Sequence, residues 1–566
     1  MINEPILQLD LPGITKVRSD KIREVYDLGD RFLLVASDRI SAFDVIMPNG
    51  IPRSHMVLKQ FTACVVAFLL MGKLALGQGV LNKDFDGFSQ GSGTLLAIPQ
   101  HGLTLEMTNL SAETSAMRSL SLPIEKVRGR RIIVETDVWA GQISEKPKPW
   151  NGIKMMAHLQ SPSGNEWPQK DFPMGNFDWQ HVSVGFQVPQ DATTATLVLG
   201  LEKVTGTVRF SHLTIMAGAK FVPASSAPRE QVIFKGHDLP RLRGAMVATS
   251  MKEEDLDDFT ERWNGNLIRW QLTCGNVSEA DSGFSAYDKW LNGILAETDL
   301  VLGWAKKRHI KVVLDLHSPP GGKRSLGGYM SAAGALFANP RAQAHFIDVW
   351  RKMAKRYQGN KTLWGFDLVN EPIDDDTAPG CMNWQALALA AGKAVREIDP
   401  ERTLIIEPPR GGGPAGFKYF NPVPLDRVVY SFHMYEPGRF THQRVFRRDE
   451  SPVSYPGEID GVLWNRAALN KAMKPAIDFA ERYRVHLYVG EFSAVRWAPG
   501  AENYLSDVIS LFEQYGWDWS YHAFREWDGW SLEHDADLND HRPSATPTAR
   551  FEVVEKSWKE NRKTPD

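Results

Sequence analysis

Residues 311–370 include the segments that decide the fold of the C-terminal region: KVVLDLH (311–317), RAQAHFIDVWRKMAKRY (341–357) and LWGFDLVN (363–370). The first and last are apolar runs of strand length, rich in Val, Leu and aromatic residues. The middle segment repeats its apolar residues at helical spacing and carries charges on its opposite face. A strand, an amphipathic helix and a second strand predict a βαβ unit with parallel strands.

The same alternation continues from residue 236 to residue 566. The other strand candidates are RGAMVAT (243–249), LIRWQL (267–272), RTLIIEP (402–408), RVVYSFHMY (427–435), HLYVGEFS (486–493) and WDWSYHAF (517–524). Further helices are indicated at 253–263 and 469–484. Eight units in succession predict a closed (β/α)₈ barrel. A doubly wound open sheet is the alternative, which eight evenly cycled units disfavour.

The chain before this barrel has four segments that differ in composition and hydrophobic pattern. It begins with a strand-like stretch typical of a short β-hairpin segment and continues with an apolar run. Short alternating runs such as TATLVLGLE (194–202) then predict an all-β sandwich. The Pro- and Ser-rich VPASSAPREQ (222–231) indicates a linker. We therefore predict a multidomain chain divided into 1–53, 54–78, 79–222, 223–235 and 236–566.

The apolar run FTACVVAFLLMG (61–72) has two interpretations. At this length it is too short to span a bilayer. Met56 and Lys59 precede it and small residues lead to Gln78, which is the layout of a secretory signal, although Lys73 departs from that pattern. The competing interpretation is a buried helix of the first segment, because a signal normally begins a chain.

Composition narrows the class of protein. A chain of 566 residues is too long for one core, so two to four domains are expected. With 65 basic and 68 acidic residues there is no excess charge for nucleic-acid binding. Eighteen Trp and 13 Tyr offer flat faces that suit sugar rings, although most should fill cores. The three cysteines are too few for a disulfide framework and lack the spacing of metal ligands. One disulfide between two of them is possible, but nothing in the sequence supports it.

Polar residues stand at the ends of six predicted barrel strands, where barrel enzymes carry their catalytic groups. Packing alone does not account for six polar strand ends together. They are Arg269 on strand two, Asp315 and His317 on strand three, Asn370 and Glu371 on strand four, His433 and Tyr435 on strand six, Glu491 on strand seven, and Trp527 after strand eight.

Glu371 and Glu491 are far apart in sequence, but strands four and seven face each other across a barrel mouth. Glycoside hydrolysis needs such a pair: an acid that protonates the leaving oxygen and a carboxylate that meets the anomeric carbon. Either glutamate alone would be interpreted as a solvated loop carboxylate. The pair at these strand ends predicts a glycosidase.

LVNEP (368–372) and YVGEFS (488–493) resemble the acid/base and nucleophile signatures of glycoside hydrolase family 5, the cellulase family. The resemblance covers the whole barrel, and it implies a retaining mechanism with Glu371 as acid/base and Glu491 as nucleophile. The family's substrate-binding positions match Arg269, His317, Asn370, His433 and Tyr435.

Each matched residue has an expected role. Asn370 should bond the sugar 2-hydroxyl. Arg269 and Tyr435 should hold Glu491 ionised, because a cation and a donated hydrogen bond favour the charged form. Glu371 has to carry a proton when it acts as the acid. His317 and His433 are expected near sugar hydroxyls.

Strand eight departs from the family pattern. The family places a tryptophan at the end of this strand as the floor of the −1 subsite. Here the sequence is SYHAFREWDGW (520–530), with His522 inside the strand. Trp527 is our choice for the role, and Trp530 is its neighbour.

The sandwich resembles carbohydrate-binding modules that precede such catalytic domains, chiefly over residues 177–215. Trp139, Trp150, Trp167 and Trp179 are candidate sugar platforms, with core packing as the alternative. Residues 20–52, DKIREVYDLGDRFLLVASDRISAFDVIMPNGIP, resemble the N-terminal region of SAICAR synthetase. This second resemblance stops at Pro52, which suggests a fusion to a hydrolase that began at Met56.

The sequence predicts a retaining endo-acting hydrolase of β-1,4-glucan, either cellulose or mixed-linkage β-glucan. Alternatives are a β-mannanase or an exo-β-glucanase, a non-catalytic glycan-binding protein, and a purine-pathway ligase. We expect no cofactor or metal, no nucleic-acid partner, no stable membrane association, and a monomer. The expected location depends on the apolar run 61–72. The protein is secreted or periplasmic if this run acts as a signal, and otherwise it is cytoplasmic as a fusion.

If residues 54–78 act as a signal, protein secreted by the native host should begin near Gln78, because the preceding Ala-Leu-Gly offers the small residues that signal cleavage prefers. Intact mass spectrometry of the secreted protein measures this end. An intact residue 1 would contradict the signal interpretation.

Overall fold

The fold was analysed in a computed structural model. It describes residues 79–564 except 90, 149, 163, 275–283, 322–323, 327–328, 332–333, 376, 379, 446–447 and 449, together with five short strands before residue 47. The chain forms two compact units, Met1–Val80 with Ala217–Ala219, and Leu81–Met216 with Lys220–Asp566. Residues 54–78 and Cys64 lie outside the described residues. Cys274 and Cys381 are free thiols.

The N-terminal segment forms short antiparallel β-structure, in agreement with the predicted hairpin segment. β1 (Thr15–Ser19), β2 (Arg23–Asp27) and β3 (Phe32–Ala36) make one sheet in that order. β4 (Ser41–Ala42) pairs with β5 (Val45–Ile46).

The segment predicted as a sandwich forms two β-sheets. The strands are β6 (Gly79–Lys83), β7 (Thr94–Ile98), β8 (Gly102–Asn109), β9 (Ser115–Ser121), β10 (Arg130–Ile143), β11 (Gly152–Ser161), β12 (Gly164–Glu166), β13 (Gly175–Gln187), β14 (Thr194–Glu202) and β15 (Gly206–Lys220). One sheet has the order β13-β10-β15-β8-β7, with β6 also paired to β15, and the other has the order β12-β11-β14-β9. Along β10 every second residue from Ile132 to Ala140 is buried, which is the period that gives a strand one core face.

Eight parallel strands close into the predicted barrel, so the open-sheet alternative is wrong. Almost every residue of these strands is buried, because helices cover the outside and side chains fill the inside. In barrel order the strands are β16 (Arg243–Val247), β17 (Leu267–Gln271), β18 (Lys311–Asp315), β21 (Leu363–Asp367), β22 (Thr403–Ile406), β23 (Val428–Met434), β26 (Leu487–Phe492) and β27 (Asp518–Phe524).

Two hairpins interrupt the alternation: β19 (Arg324–Leu326) with β20 (Tyr329–Ser331), and β24 (Gly457–Ile459) with β25 (Val462–Trp464). The helix predicted at 469–484 is two helices, and Pro475 in the first turn of the second explains the break because proline has no N–H for an intrahelical bond. The helices are α1 (Ile124–Val127), α2 (Glu253–Asp257), α3 (Ser285–Lys307), α4 (Pro340–Tyr357), α5 (Trp384–Arg396), α6 (Gly438–Thr441), α7 (Arg466–Ala472), α8 (Lys474–Tyr483), α9 (Ala501–Tyr515) and α10 (Ala549–Trp558), with short 3₁₀ or π segments at Asp258–Arg262, Gly334–Phe337 and Pro414–Tyr419. Within the described part of the chain, no helix is long and apolar enough to cross a membrane.

Large aromatic side chains pack the helices onto the barrel. Trp263 contacts Phe524 and Trp558 with ring centroids 4.7 and 5.0 Å apart. Trp350 of α4 is fully buried, and its indole N–H donates to the Leu368 carbonyl at 3.1 Å. The core therefore holds the chain just before the Asn370-Glu371 pair.

Replacing Trp350 with alanine should destabilise the protein by about 3–5 kcal/mol, because it leaves a cavity and an unpaired carbonyl. Leu300→Ala on the solvent side of α3, where Leu300 is 57% exposed, is the control and should change stability by about 0.5 kcal/mol or less. Urea unfolding followed by far-UV circular dichroism measures both. Equal midpoints for the two variants would contradict this packing.

Candidate active site

The carboxyl ends of the barrel strands surround one cleft. The predicted residues His317, Asn370, Glu371, His433, Tyr435, Glu491 and Trp527 all line it. Arg269, the remaining predicted site residue, is fully buried and contacts Glu491. The barrel thus brings together side chains that are more than 200 residues apart in sequence. Other residues of the cleft wall are Met246, Arg410, Gly411, Glu436, His442, His522, Glu526 and Trp530.

Glu371 and Glu491 approach each other across this cleft. Glu491 lies on β26, and Glu371 follows β21 in a left-handed backbone conformation with φ of 48°. One oxygen of each carboxylate and a ring nitrogen of His433 all lie within 4.8 Å of one another. His433 Nδ1 is 2.9 Å from Glu371 Oε1 and 3.7 Å from Glu491 Oε2. The two carboxylates can therefore act on the same bond of a bound molecule.

Glu491 is held as an anion by its neighbours. Arg269 Nη1 donates to Oε1 at 2.6 Å, and the Tyr435 hydroxyl donates to Oε2 at 2.9 Å. Burial alone would raise the pKa of Glu491, but the positive charges of His433, His522 and Arg269 hold this pKa well below its usual range. This carboxylate is available as a nucleophile or a base.

Arg269 is shared among several buried carboxylates. Besides Glu491, its guanidinium lies 3.0 Å from Asp367 Oδ2, 3.2 Å from Asp315 Oδ1 and 3.2 Å from Glu407 Oε1, and all three acids are fully buried. Burial and the charges of Glu407 and Asp315 raise the pKa of Asp367 well above its ordinary value, despite Arg269.

Glu407, at the end of the fifth barrel strand, connects this cluster to Glu371. Its Oε2 accepts the backbone N–H of Glu371 at 2.9 Å, and its Oε1 lies 3.2 Å from His433 Nε2. Burial would lower the pKa of His433, but the charges of Glu407 and Glu491 raise it well above its ordinary value. Glu407 thus fixes the turn that carries Glu371 and raises the pKa of His433.

On strand eight, the side chain that reaches Glu491 is His522. Its Nδ1 contacts the Tyr435 hydroxyl and lies 3.4 Å from Glu491 Oε2, while its Nε2 is 3.0 Å from Glu526 Oε2. Trp527 lies on the cleft wall, 38% exposed, and packs edge to face on Trp530 at 5.3 Å. The assignment of the −1 floor to Trp527 stays a prediction.

His317 and Asn370 complete the wall. His317 Nδ1 lies 2.9 Å from Asp315 Oδ2, which orients the ring. The Asn370 carbonyl oxygen accepts from Arg269 Nη2 at 3.1 Å, so its amide is held in one orientation. Their contacts with sugar hydroxyls remain predictions.

Among the described residues, Glu371, His433 and Glu491 are the group whose donor atoms are close enough to hold a metal ion. Arg269 already supplies a cation 2.6 Å from Glu491.

Sequence reasoning missed Glu407, Asp367 and the role of His522. Glu407 stands at the end of a barrel strand in LIIEP, the signal that identified Glu371 and Glu491. It was overlooked because the resemblance assigns no role to strand five. His522 was overlooked because that position was expected to carry tryptophan.

A closed (β/α)₈ barrel with two carboxylates meeting at its carboxyl end defines a glycoside hydrolase site. The family model Cellulase (glycosyl hydrolase family 5) matches residues 227–528, more than half of the chain, and the model SAICAR synthetase matches residues 16–83. The chain therefore belongs to glycosyl hydrolase family 5 through its barrel, and its N-terminal segment belongs to the SAICAR synthetase family.

Three proteins of known name are similar to parts of this chain. Endoglucanase C of Acetivibrio thermocellus is 32% identical over 274 residues, 43% of this chain and 77% of that protein. The phosphoribosylaminoimidazole-succinocarboxamide synthase of Syntrophotalea carbinolica is 33% identical over 258 residues, 46% of this chain and 74% of that protein. The crystal structure of endoglucanase Cel5A from Thermotoga maritima has a TM-score of 0.43 and 21% identity, covering 55% of this chain and 96% of that chain.

The SAICAR synthetase match corrects one expectation. It reaches residue 83, so the likeness does not end at Pro52. The match includes the apolar run 61–72.

Replacing Glu407 with glutamine should lower kcat on a soluble β-glucan about ten- to a hundredfold, the value of one charged hydrogen bond. Glutamine has one acceptor oxygen where glutamate has two. Either the Glu371 N–H loses its acceptor, or Arg269 and His433 lose theirs. Glu513→Gln is the matched control, because Glu513 pairs with Arg243 at 2.7 Å at the opposite end of the barrel. Steady-state kinetics with a melting curve tests this, and unchanged kcat in a folded Glu407→Gln variant would contradict it.

Proposed function

We propose that the chain is a retaining endo-acting β-1,4-glucanase that cleaves cellulose or mixed-linkage β-glucan. The observation that carries this proposal is the approach of Glu371 and Glu491 to within 4.8 Å, oxygen to oxygen, with Glu491 kept ionised. Retaining enzymes space their carboxyl groups by about 5–5.5 Å, whereas inverting enzymes need about 6.5–9.5 Å to admit a water molecule.

In the first step, a Glu491 oxygen attacks the anomeric carbon and the bond to the leaving oxygen breaks. Glu371 gives its proton to that oxygen, so the leaving sugar departs as an alcohol. In the second step, Glu371 takes a proton from water, the water oxygen bonds to the anomeric carbon, and the ester to Glu491 breaks. Arg269 and Tyr435 stabilise Glu491 as it leaves again as an anion.

His433 lies between the two carboxylates and touches both. As a protonated donor it can bond Glu371 when that side chain is ionised, after the first proton transfer. It therefore supports the change of Glu371 from acid to base between the two steps.

The substrate follows from the cleft wall and the relatives. Trp527 and Trp530 present aromatic surface on which pyranose rings can stack. The similar protein of Acetivibrio thermocellus is an endoglucanase by name, which supports internal cleavage of a glucan chain. A β-mannanase or an exo-β-glucanase is the alternative within the family.

The sandwich is proposed as a glycan-binding module, and its tryptophans differ in availability. Trp150 and Trp167 are 53% and 55% exposed. Trp139 lies under Arg209 at 4.3 Å, and Trp179 stacks on His101 at 4.0 Å. Trp150 lies under Lys148 at 5.1 Å and Trp167 stacks on His158 at 5.5 Å, so it is their greater exposure that favours these two as sugar platforms. Secretion is proposed only if residues 54–78 act as a signal.

Glu491→Ala should lower turnover of barley β-glucan by about four to six orders of magnitude while leaving binding in place, because the covalent step loses its nucleophile. The control is Glu481→Ala on the exposed face of α8. Reducing-sugar assays on carboxymethyl-cellulose, barley glucan, mannan and laminarin rank the substrates. NMR of the first product should show the β-anomer.

Each outcome has a clear meaning. Normal turnover in Glu491→Ala, or an α-anomer as first product, would overturn the retaining mechanism. Absence of turnover on all four polymers by the unmodified protein would favour a glycan-binding protein without activity.

A further inference from the structure

The loop after the fourth barrel strand, which follows Glu371, rests on the sandwich. Arg131 on β10 donates from Nη2 to the carbonyl of Asp374 at 2.7 Å and also contacts the carbonyl of Asp375. Gly185 on β13 lies so close that a Cβ there would stand 2.0 Å from the Asp375 oxygen. The two backbones meet with no room for a side chain.

The loop after the fifth strand also reaches the sandwich. Arg410 is in the left-handed region with φ of 70°, and its Nη2 pairs with Glu166 Oε2 of β12 at 2.8 Å. Its guanidinium lies over the Tyr419 ring, 5.5 Å from the centroid. Burial would lower the pKa of Arg410, but the charges of Asp375 and Glu166 raise it, so the side chain stays a cation.

These two loops are joined beside Glu371. The Gly411 N–H donates to the Pro372 carbonyl at 3.0 Å. At Gly412 a Cβ would lie 2.3 Å from Glu407 Oε2 and 3.6 Å from Glu371 Cγ. Arg410 therefore lines the cleft on the acid/base side.

The segment predicted as a linker is bound along the barrel. The Ala224 N–H donates to Asn421 Oδ1 at 2.8 Å, and Arg482 donates to the Ala224 carbonyl at 3.2 Å. The sandwich is thus fixed against the barrel at its linker as well as at both loops.

We propose that Arg410, positioned by Glu166 of the sandwich, binds the sugar on the leaving-group side of the scissile bond. This inference rests on the proposed function. The acid/base protonates the leaving oxygen, so the wall beside Glu371 faces the sugar that departs. A guanidinium offers five N–H donors in a rigid fork, and the ion pair with Glu166 holds this guanidinium beside the cleft. The sandwich then forms part of the catalytic cleft, through Glu166, in addition to any glycan binding of its own.

The test compares two substrates in the full chain. Cellotetraose places sugars on both sides of the cleavage site, whereas an aryl β-cellobioside has no sugar on the leaving side. The variants are Arg410→Ala, Glu166→Gln and the two combined. The control is Glu106→Gln, which breaks a sandwich ion pair with Arg209 of 2.6 Å that does not involve the cleft. Melting curves establish that each variant is folded.

Arg410→Ala should lower kcat/KM for cellotetraose about ten- to a hundredfold and leave the aryl glycoside within about twofold, because only one substrate loses a contact. Glu166→Gln should lower the cellotetraose value by several fold with the same selectivity. The double variant should equal Arg410→Ala alone, since Glu166 acts through Arg410. Glu106→Gln should match the unmodified protein.

A second readout does not depend on the aryl substrate. In end-labelled cellohexaose every productive complex places a sugar at this position, so Arg410→Ala should lower turnover and leave the cleavage pattern unchanged. A shifted cleavage pattern at normal turnover, or equal losses on cellotetraose and the aryl glycoside, would overturn the assignment of Arg410. Absence of turnover in the unmodified protein would instead mean that the proposed function itself is wrong.

Discussion

The guanidinium of Arg269 is the interaction on which the catalytic end of the barrel depends. It contacts acids from strands three, four, five and seven, and it is itself fully buried. Removing ions from water costs several kcal/mol each, so these carboxylates are tolerable only around a shared cation. Because the acids come from four strands, the same contact holds the strand ends in register.

The electrostatics of the two glutamates follow from this cluster. Glu491 faces Arg269, His433 and His522 and is kept ionised. Glu371 stands on a left-handed turn whose N–H is bound by Glu407, and its carboxylate meets one imidazole at 2.9 Å. The different neighbours of these two chemically identical side chains support the proposed roles of Glu371 as acid/base and Glu491 as nucleophile.

How much the sequence predicts differs between elements. The eight strands lie within a few residues of their expected ranges, because buried parallel strands are near-continuous apolar runs. The prediction of one continuous helix at 469–484 was wrong, because Pro475 lies in the first turn of a second helix. Glu407 and His522 were not expected at the site, because their function depends on neighbours that are remote in sequence. The contact between the Asp375 carbonyl and Gly185 could not be predicted, because no pattern in the sequence indicates it.

By itself, the sequence determined the barrel, the sandwich and the two glutamates, because hydrophobic period and strand-end polarity are local properties. Only the tertiary structure decided that Arg269 is shared by four acids, that His433 touches both glutamates, and that Glu166 of the sandwich reaches the cleft through Arg410. These are contacts between distant segments. Their strength depends on burial and on distances of about 3 Å, which the order of residues along the chain does not contain.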